Sequence, residues 1–306
     1  MESSQLSFTY DNFLAMLPIN GSISSKKIYQ WVYNALLPTL AQPSECQAIA
    51  HRLLDHYCQL STLHLVMDTQ VKLSVYHYKK LCAAIQRLKQ HEPVQYVLQT
   101  APFLGRNFYV DSSVLIPRPT TEELVQHILN EGSRSGNYIL DIGTGSGCIA
   151  ITLQQELSGT RVYALDEDAD ALRIAKMNAQ RMGAELRFVQ ADILKDVVLP
   201  DQSWDIIVSN PPYVLPSERV LMHPNVLNYE PKKALFVPER DPLCFYERIM
   251  AFAAQRLVRC GRLYLEINAT FADKLMQLGE MYGLKRIRVW KDLHAQDRWL
   301  TAIRTA

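Results

Sequence analysis

The tetrapeptide Asn210-Pro211-Pro212-Tyr213 has the strongest chemical character in the sequence. An amide or exocyclic amine nitrogen is a poor nucleophile because its lone pair is delocalised into a π system. A site that accepts two hydrogen bonds from such an NH2 group fixes its orientation and helps to draw the lone pair out of conjugation. The side-chain carbonyl of Asn210 and the backbone carbonyl of Pro211 supply two acceptors, which consecutive prolines hold rigidly. With Tyr213 presenting a flat face to a planar substrate, the motif predicts chemistry on a planar nitrogen.

The segment Asp141-Ile142-Gly143-Thr144-Gly145-Ser146-Gly147 is a second candidate binding motif. It follows a short apolar run and precedes a helical pattern. Its glycines allow a tight turn whose backbone N–H groups approach a ligand closely. A Gly-x-Gly-x-Gly turn alone is a weak indication, because dinucleotide-binding enzymes share it. Nearby carboxylates must therefore decide which cofactor the turn binds.

Two aspartates favour S-adenosyl-L-methionine over a dinucleotide. Asp166 lies about 20 residues beyond the glycines, at the end of the second predicted strand, where a carboxylate can accept both hydroxyls of an adenosine ribose. Asp141 would repel a pyrophosphate, whereas it would attract the ammonium group of S-adenosylmethionine. Asp192 ends the third predicted strand and either contacts the adenine or caps the following helix. Because ligands bind beyond the carboxyl ends of parallel strands, we expect these residues and Asn210 to line one crevice.

A sulfonium methyl donor makes a strong catalytic base unnecessary. Methyl transfer dissipates the positive charge of the sulfonium, and the extra proton on the product nitrogen can leave after the transfer. Alignment and preorganised dipoles then account for most of the catalysis. The sequence thus predicts an S-adenosylmethionine-dependent methyltransferase that acts on a planar nitrogen.

Short apolar strands alternate with helices after Tyr138, and this alternation predicts a mostly parallel sheet with helices on both faces. The predicted helices begin near Cys148, near Asp168 and at Asp241-Pro242, where an N-cap would precede a proline at the first helical position. The predicted strands are 138–140, 162–165, 186–189, 206–208 and 263–267, followed by an antiparallel closing pair at 286–290 and 298–303.

The first 90 residues have a different pattern. Apolar residues recur at helical spacing, as at Ile49, Leu53 and Tyr57, and no glycine occurs between Gly21 and Gly105. This pattern predicts a small bundle of helices, with 68–74 as a connection between two of them. The predicted domains are a helical domain at 1–90, a hairpin linker at 91–115 and an α/β domain at 116–306.

The region between the two predicted domains contains local turn and helix signals. Phe103–Val110 resembles a hairpin that turns at Arg106 and one of its two neighbours. Pro117-Arg118-Pro119 is predicted to be stiff and extended, because each proline also restricts the residue before it. Thr120 or Thr121 is then expected to cap the next helix.

The composition is that of a globular protein, with 48% hydrophobic and 21% charged residues. The net charge is +1, and the first 90 residues hold eight Lys/Arg against five Asp/Glu, the remainder 24 against 26. Neither part has the basic excess of a nucleic-acid-binding surface. The six cysteines are scattered, which predicts reduced thiols and no metal site. With no signal-peptide pattern and no apolar run near the roughly 18 residues of a membrane span, we expect a cytoplasmic protein.

Several motifs together resemble the peptide-chain release factor glutamine methyltransferases, over nearly the whole chain. Besides the glycine turn and Asn210–Tyr213, the resemblance rests on Ile116-Pro117-Arg118-Pro119, Thr121-Glu122, Glu230-Pro231, Ala234-Leu235, Asp292-Leu293 and Arg298. It implies a Rossmann-like, seven-stranded class I methyltransferase domain with a small N-terminal helical-bundle domain. It also implies S-adenosyl-L-methionine as cofactor and, as substrate, the glutamine in the Gly-Gly-Gln loop of a bacterial-type release factor.

The same resemblance implies roles for individual residues. Residues Gly143 to Gly147 and Asp166 would hold the cofactor, and Asn210 would contact both cofactor and substrate. Pro211, Pro212 and Tyr213 would complete the substrate pocket. Because a glutamine on a loop needs recognition beyond its own side chain, the N-terminal domain is predicted to bind the protein substrate. We expect a monomer with no direct nucleic-acid partner.

The chain departs from the family pattern at three positions outside the tetrapeptide. Thr120 stands where the family usually has Asp, and Asn268 stands where it usually has Gly or His. Ile193 occupies a predicted adenine-binding position at which some members place an aromatic residue. The reaction type is therefore better defined by the sequence than the packing around the cofactor.

Three alternatives remain open on the sequence alone. An adenine-N6 methyltransferase acting on DNA or RNA uses the same tetrapeptide, but it needs a surface that binds a nucleic-acid backbone. A related family methylates a glutamine of a large-subunit ribosomal protein, and its proline segment more often reads Pro-Arg-Ser than Pro117-Arg118-Pro119. A non-catalytic protein that only binds the cofactor is the third alternative, and the intact tetrapeptide disfavours it.

Overall fold

The computed structural model describes residues 21–40, 42–132, 137–195, 199 and 202–305. It contains two compact units, divided between Leu98 and Gln99. Residues 91–98 belong to the first unit because the helix Val94–Leu98 packs into its core. The N-terminal segment, for which no signal peptide is predicted, lies outside the described residues. The domain limits 1–90, 91–115 and 116–306 remain a prediction.

The first unit is helical, as predicted. Pro43 begins one helix at its first position, and the helix buries Ile49, Leu53 and Leu54 on one face. The segment predicted as a plain connection contains a short strand, which pairs antiparallel with the strand before the first helix. The elements are β1 (Ile23–Ser24), α1 (Ser25–Leu40), α2 (Pro43–Cys58), α3 (Thr62–Met67), β2 (Gln70–Val71), α4 (Val75–Lys89) and α5 (Val94–Leu98).

The second unit opens with the predicted hairpin, formed by β3 (Ala101–Phe103) and β4 (Arg106–Phe108). Its turn is Leu104-Gly105, one residue earlier than predicted. Both turn residues have positive φ, +43° and +75°, and a two-residue turn of this kind favours glycine. Arg106 instead lies in β4, and its guanidinium donates to the side chains of Gln155 and Glu156.

A seven-stranded sheet forms the centre of the second unit, in the order β10-β11-β9-β8-β5-β6-β7. Its first five strands in chain order are parallel, and the last two pair antiparallel beside β9. The predicted strands and closing hairpin are therefore confirmed. The strands are β5 (Tyr138–Ile142), β6 (Arg161–Asp166), β7 (Leu186–Gln190), β8 (Trp204–Ser209), β9 (Leu257–Glu266), β10 (Lys285–Lys291) and β11 (Asp297–Ile303).

Helices pack on this sheet and complete the predicted α/β architecture. Asp168 caps one of them, as predicted, by accepting a hydrogen bond from the N–H of Asp170. The helices are α6 (Pro119–Glu131), α7 (Cys148–Glu156), α8 (Ala169–Met182), α9 (Pro224–Tyr229), α10 (Lys232–Leu235), α11 (Cys244–Arg256) and α12 (Ala272–Met281), with 3-10 turns at Pro216–Leu221 and Ala269–Phe271. No helix within the described ranges is long and apolar enough to cross a membrane.

Two predicted helix starts are wrong. Helix α6 begins at Pro119 with Arg118 as its N-cap, because proline suits the first helical position and lacks the N–H that would need a partner. The hydroxyl of Thr121 donates to Glu266 and does not cap the helix. Helix α11 begins at Cys244 rather than at Asp241-Pro242, which lie in a turn that the N–H of Cys244 closes by donating to the carbonyl of Asp241.

Candidate active site

A cavity lies beyond the carboxyl ends of β5, β6 and β8, as expected for a parallel sheet. It brings together most of the predicted site residues, since its wall includes Gly143, Thr144, Gly145, Ser146, Asp166, Asp192, Ile193, Asn210, Pro211 and Pro212. Asp141, Gly147 and Tyr213 lie outside this wall. No group of three or more His, Cys, Asp or Glu side chains in the described part of the chain has the arrangement of a metal site.

The glycine turn is fixed to the neighbouring strand through its backbone. The N–H groups of Gly143 and Thr144 both donate to the carbonyl of Leu165, at 2.8 and 2.9 Å. Gly143 has a φ of +74° and Gly145 a φ of +54°, values that side chains disfavour. At these two positions the turn presents backbone without a side chain to the cavity.

Gly147 serves the packing of the turn rather than the cavity wall. It precedes the first residue of α7 with a φ of +81°. A Cβ atom at this position would lie 3.0 Å from Cδ1 of Ile151 and 3.2 Å from Cβ of Ala175. Glycine is needed here because α7 and α8 approach the backbone closely.

Asp141 lies beneath the turn and does not line the cavity, so its direct contact with the cofactor stays a prediction. It is the fourth residue of β5 and is completely buried. Its Oδ2 accepts a hydrogen bond from Thr144 Oγ1 at 2.7 Å, and its Oδ1 has no partner among the described residues. Burial raises the pKa of Asp141 to about 7. Its clearest contribution in this structure is to hold Thr144 in the turn.

Asp166 occupies the position that the sequence predicted, at the last residue of β6. Its two oxygens accept hydrogen bonds from Gly145 N at 2.9 Å and from Asp168 N at 3.0 Å. Burial raises the pKa of this carboxyl, and the two backbone hydrogen bonds oppose that rise. A carboxylate has about four acceptor positions, so two remain for hydroxyls of a ligand.

Asp192 and Ile193 form another part of the wall. Asp192 accepts a hydrogen bond from Leu194 N at 2.9 Å and pairs with Lys195 at 3.2 Å. The segment after Asp192 is a turn, so the alternative of a helix cap is wrong. Ile193 is only 6% exposed and supplies an apolar surface to the cavity.

The tetrapeptide follows β8 directly, opposite the glycine turn. A Cβ atom on Gly143 would lie 3.9 Å from the backbone oxygen of Asn210. Asn210 and the two prolines line the cavity, whereas Tyr213 does not. The Tyr213 hydroxyl instead donates to Oε1 of Glu266 at 2.9 Å. Burial and this carboxylate raise the pKa of Tyr213, which keeps the hydroxyl protonated. Its flat contact with the substrate stays a prediction, since the structure shows only where the hydroxyl is directed.

Sequence reasoning assigned no place in the site to Glu266, and it named Thr121 only as a possible helix cap and as part of a family motif. Glu266 is fully buried at the end of β9 and accepts a hydrogen bond from Thr121 Oγ1 at 2.6 Å. Thr121 in turn accepts a hydrogen bond from Asn210 Nδ2 at 3.1 Å. The available signal was the position of Glu266 at the carboxyl end of a strand beside β8.

A buried ion pair supports the proline segment on the cavity wall. Arg118 lines the cavity, and its Nη2 lies 2.6 Å from Oε1 of Glu230. Glu230 is 4% exposed, and its other oxygen accepts a hydrogen bond from Ile116 N at 3.2 Å. Burial raises the pKa of Glu230 and Arg118 opposes the rise. The sequence contained both residues in motifs but did not indicate that they form a pair.

Comparison with protein families agrees with this architecture. Residues 118–226 match the family described as Methyltransferase small domain. Residues 39–98 match the family described as PrmC N-terminal domain. The two matches fall in the second and the first compact unit respectively.

Curated relatives cover most of the chain. The chain is 41% identical to a release factor glutamine methyltransferase of Bacteroides thetaiotaomicron over 268 residues, which span 88% of this chain and 96% of that protein. It is 38% identical to one of Flavobacterium psychrophilum, over 90% of this chain and 97% of that protein.

A solved structure has a related fold. The chain aligns with a methyltransferase from Pyrococcus furiosus at a TM-score of 0.50 and 17% identity. The alignment covers 66% of this chain and 91% of that chain. At this identity the similarity supports the fold alone.

Proposed function

Because the chain belongs to the release factor glutamine methyltransferase family, we propose that it methylates the side-chain amide nitrogen (N5) of the glutamine in the Gly-Gly-Gln loop of a peptide-chain release factor. One observation carries this proposal: a single cavity is lined by the glycine turn, by Asp166 and by the acceptors of Asn210 and Pro211. This arrangement supports a cofactor site next to an amide-binding site. Mass spectrometry of a release factor incubated with the enzyme and S-adenosylmethionine tests the proposal.

The cavity suits S-adenosyl-L-methionine, which supplies an activated methyl group on a sulfonium. Asp166 retains acceptor positions for ribose hydroxyls, and Ile193 offers an apolar surface to the adenine. The exposed backbone of the glycine turn accommodates a ligand at close range. These residues are proposed to hold the cofactor, with Asp192 beside it.

The reaction needs orientation of the glutamine amide rather than its deprotonation. The carbonyl oxygens of Asn210 and Pro211 are proposed to accept one hydrogen bond each from the NH2 group. This arrangement points the nitrogen lone pair toward the methyl group and costs little reorganisation during the transfer. The N–CH3 bond forms as the S–CH3 bond breaks, and the extra proton of the product then leaves to water.

Asp166→Ala is expected to weaken S-adenosylmethionine binding by roughly 1.5–3 kcal/mol, the range for loss of hydrogen bonds to a charged group. The loss would include the ribose contacts and the hydrogen bond that holds Gly145. Isothermal titration calorimetry measures it. Asp170→Ala is the matched control, because Asp170 is exposed and does not line the cavity. An affinity unchanged by Asp166→Ala would remove Asp166 from the cofactor site.

The N-terminal unit is proposed to bind the release factor outside its Gly-Gly-Gln loop. Helix α3 exposes three apolar side chains, Leu63, Val66 and Met67, at 64%, 69% and 67%. Neighbouring exposed apolar side chains of this kind are typical of a surface that binds another protein. A monomeric enzyme and a cytoplasmic location remain proposals, and the proposed substrate class supports the second of them.

Met67→Glu is expected to raise the KM for an intact release factor about tenfold, the equivalent of about 1.4 kcal/mol. A short Gly-Gly-Gln peptide lacks the remaining surface of the release factor that α3 is proposed to contact, so its KM should not change. Met281→Glu is the matched control, since Met281 is 82% exposed on α12 of the other unit. Steady-state kinetics with both substrates distinguish the outcomes. Equal effects on protein and peptide would exclude α3 as a recognition element.

A further inference from the structure

A chain of hydrogen bonds links the catalytic loop to the buried carboxylate at the end of β9. Asn210 Nδ2 donates to Thr121 Oγ1 at 3.1 Å, and Thr121 Oγ1 donates to Glu266 Oε2 at 2.6 Å. We propose that Thr121 and Glu266 are positioning residues that fix which end of the Asn210 amide faces the substrate. This inference rests on the proposed function, because it concerns the acceptor that binds the glutamine NH2 group.

The orientation of Asn210 follows from counting protons. A threonine hydroxyl has one proton to donate. In Thr121 this proton is directed to Glu266, over the shorter of its two hydrogen bonds. Toward Asn210, therefore, Thr121 can only accept. The amide must present its NH2 group to Thr121, which leaves its carbonyl oxygen available to the substrate in the cavity.

Glu266 is surrounded by hydroxyl groups, each placed to donate a hydrogen bond to its carboxylate. Besides Thr121, it receives hydrogen bonds from the hydroxyls of Tyr213 at 2.9 Å and Thr120 at 3.3 Å. A buried carboxylate without such donors would be costly. Burial raises the pKa of Glu266, while the hydrogen bonds from Thr121 and Tyr213 and the charge of Arg298 lower it. Three hydroxyl donors converging on two oxygens define the direction of every bond in the chain.

A reversed amide would not support the reaction. If Asn210 turned its NH2 group to the cavity, two NH2 groups would face each other and one acceptor would be lost. Buried polar groups without partners are costly, so the hydrogen-bonded chain selects against this state. Tyr213 donates to the same carboxylate directly, and Asn210 is connected to it through Thr121. Both ends of the tetrapeptide are therefore held by Glu266.

The test is Thr121→Val, which keeps the shape of the side chain and removes its hydroxyl. The expected result is a fall in kcat of up to ~100-fold, the scale on which small displacements of a reacting group affect rates. The KM for the release factor and the Kd for S-adenosylmethionine should stay within about twofold, since both hydrogen bonds of the hydroxyl go to Glu266 and Asn210. Thr121→Ser restores the hydroxyl and should recover most of kcat.

Thr120→Val is the matched control, because Thr120 donates to the same carboxylate and does not contact Asn210. It should lower kcat much less than Thr121→Val. If the two valine variants lose activity equally, or if Thr121→Ser is as slow as Thr121→Val, the hydroxyl acts through general packing and the proposal is overturned. A Thr121→Val enzyme with the wild-type kcat would also overturn it.

Glu266→Gln provides a second variant that does not depend on how Thr121→Val folds. It replaces one acceptor oxygen by an NH2 group and so disturbs the direction of the chain. Because Thr121 and Glu266 both act through Asn210, the double variant Thr121→Val/Glu266→Gln should lose no more kcat than the slower of the two single variants. If the free-energy losses in kcat of the two single variants add up in the double variant, the two residues do not act through the same group. A wild-type enzyme that leaves release factors unmethylated would instead contradict the proposed function, so the two failures are distinguishable.

Discussion

Asn210→Ala is expected to abolish methyl transfer to the release factor while the fold stays intact. The variant loses the side-chain carbonyl that is proposed to bind the glutamine NH2 group, so the nitrogen is no longer aligned. Removal of one preorganised hydrogen-bonding group from a site of this kind costs ~10²–10³-fold in kcat. Transfer of radiolabelled methyl groups measures the rate, and thermal unfolding tests the fold.

Asn210→Asp should be nearly as inactive, although it keeps an acceptor. The added negative charge lies near the cationic cofactor and stabilises the ground state as much as the transition state, which does not accelerate the reaction. It also removes the NH2 group that donates to Thr121. Asn130 gives matched controls, because it is exposed on α6 outside the cavity. Wild-type turnover by either Asn210 variant would exclude the amide-binding mechanism.

The sheet could be predicted from the sequence because its core strands are buried on both faces. Such strands appear as continuous apolar runs, as in Ile206–Val208, and need no knowledge of their neighbours. The glycine turn and Asp166 could be placed for a related reason, since both directly follow or end a strand. Helix starts were less accurate. At Asp241-Pro242 the sequence has the pattern of a cap, but the chain makes a turn before α11 begins at Cys244.

Side-chain directions within the site could not be predicted. Asp141 begins the glycine motif in the sequence, but it belongs to β5 and is enclosed beneath the turn. Tyr213 follows two prolines that line the cavity, but its hydroxyl is directed to Glu266. One residue of register along an extended chain reverses the direction of a side chain. Whether a polar group lines a cavity therefore depends on partners that the local sequence does not specify.

The hydrogen-bonded chain around Glu266 could not be predicted either, because its members are far apart in the sequence. Thr121 and Glu266 are 145 residues apart, and a single threonine or glutamate has no distinctive local pattern. They meet because α6 begins at the edge of the sheet where β9 ends. The tetrapeptide alone indicates which groups can bind an amide. The tertiary structure adds the partner that gives the Asn210 amide its orientation.

The purified protein is expected to methylate a release factor at the glutamine of its Gly-Gly-Gln loop and to leave free glutamine and DNA unmodified. Each substrate would be incubated with enzyme and S-adenosylmethionine, and mass spectrometry of the digested product would locate the gain of one methylene. A release factor with Glu in place of the glutamine should remain unmodified, because its carboxylate has no NH2 group to donate to Asn210 and Pro211. A large-subunit ribosomal protein is incubated and analysed in the same way, as the substrate of the related family.

The two glycines before the target explain why the loop itself should matter. Without side chains, they can adopt backbone angles closed to other residues and can enter a cavity bounded by Pro211 and Pro212. Replacement of the second glycine of the Gly-Gly-Gln loop by valine should therefore reduce methylation of an otherwise intact release factor. A normal rate with that variant would show that the cavity accepts glutamine on an ordinary loop.

Free glutamine should react more slowly even when it saturates the enzyme. It lacks the protein surface whose binding energy positions the amide, and loss of such remote contacts lowers kcat as well as affinity. If free glutamine is not methylated, the side-chain amide alone is not enough for the reaction, and the enzyme must also recognise the loop that carries it. Methylation of the ribosomal protein alone would assign the chain to the sister activity, because that substrate presents a glutamine without the release-factor loop. Methylation of adenine in DNA alone would show that the acceptors of Asn210 and Pro211 bind the exocyclic amine of a base instead.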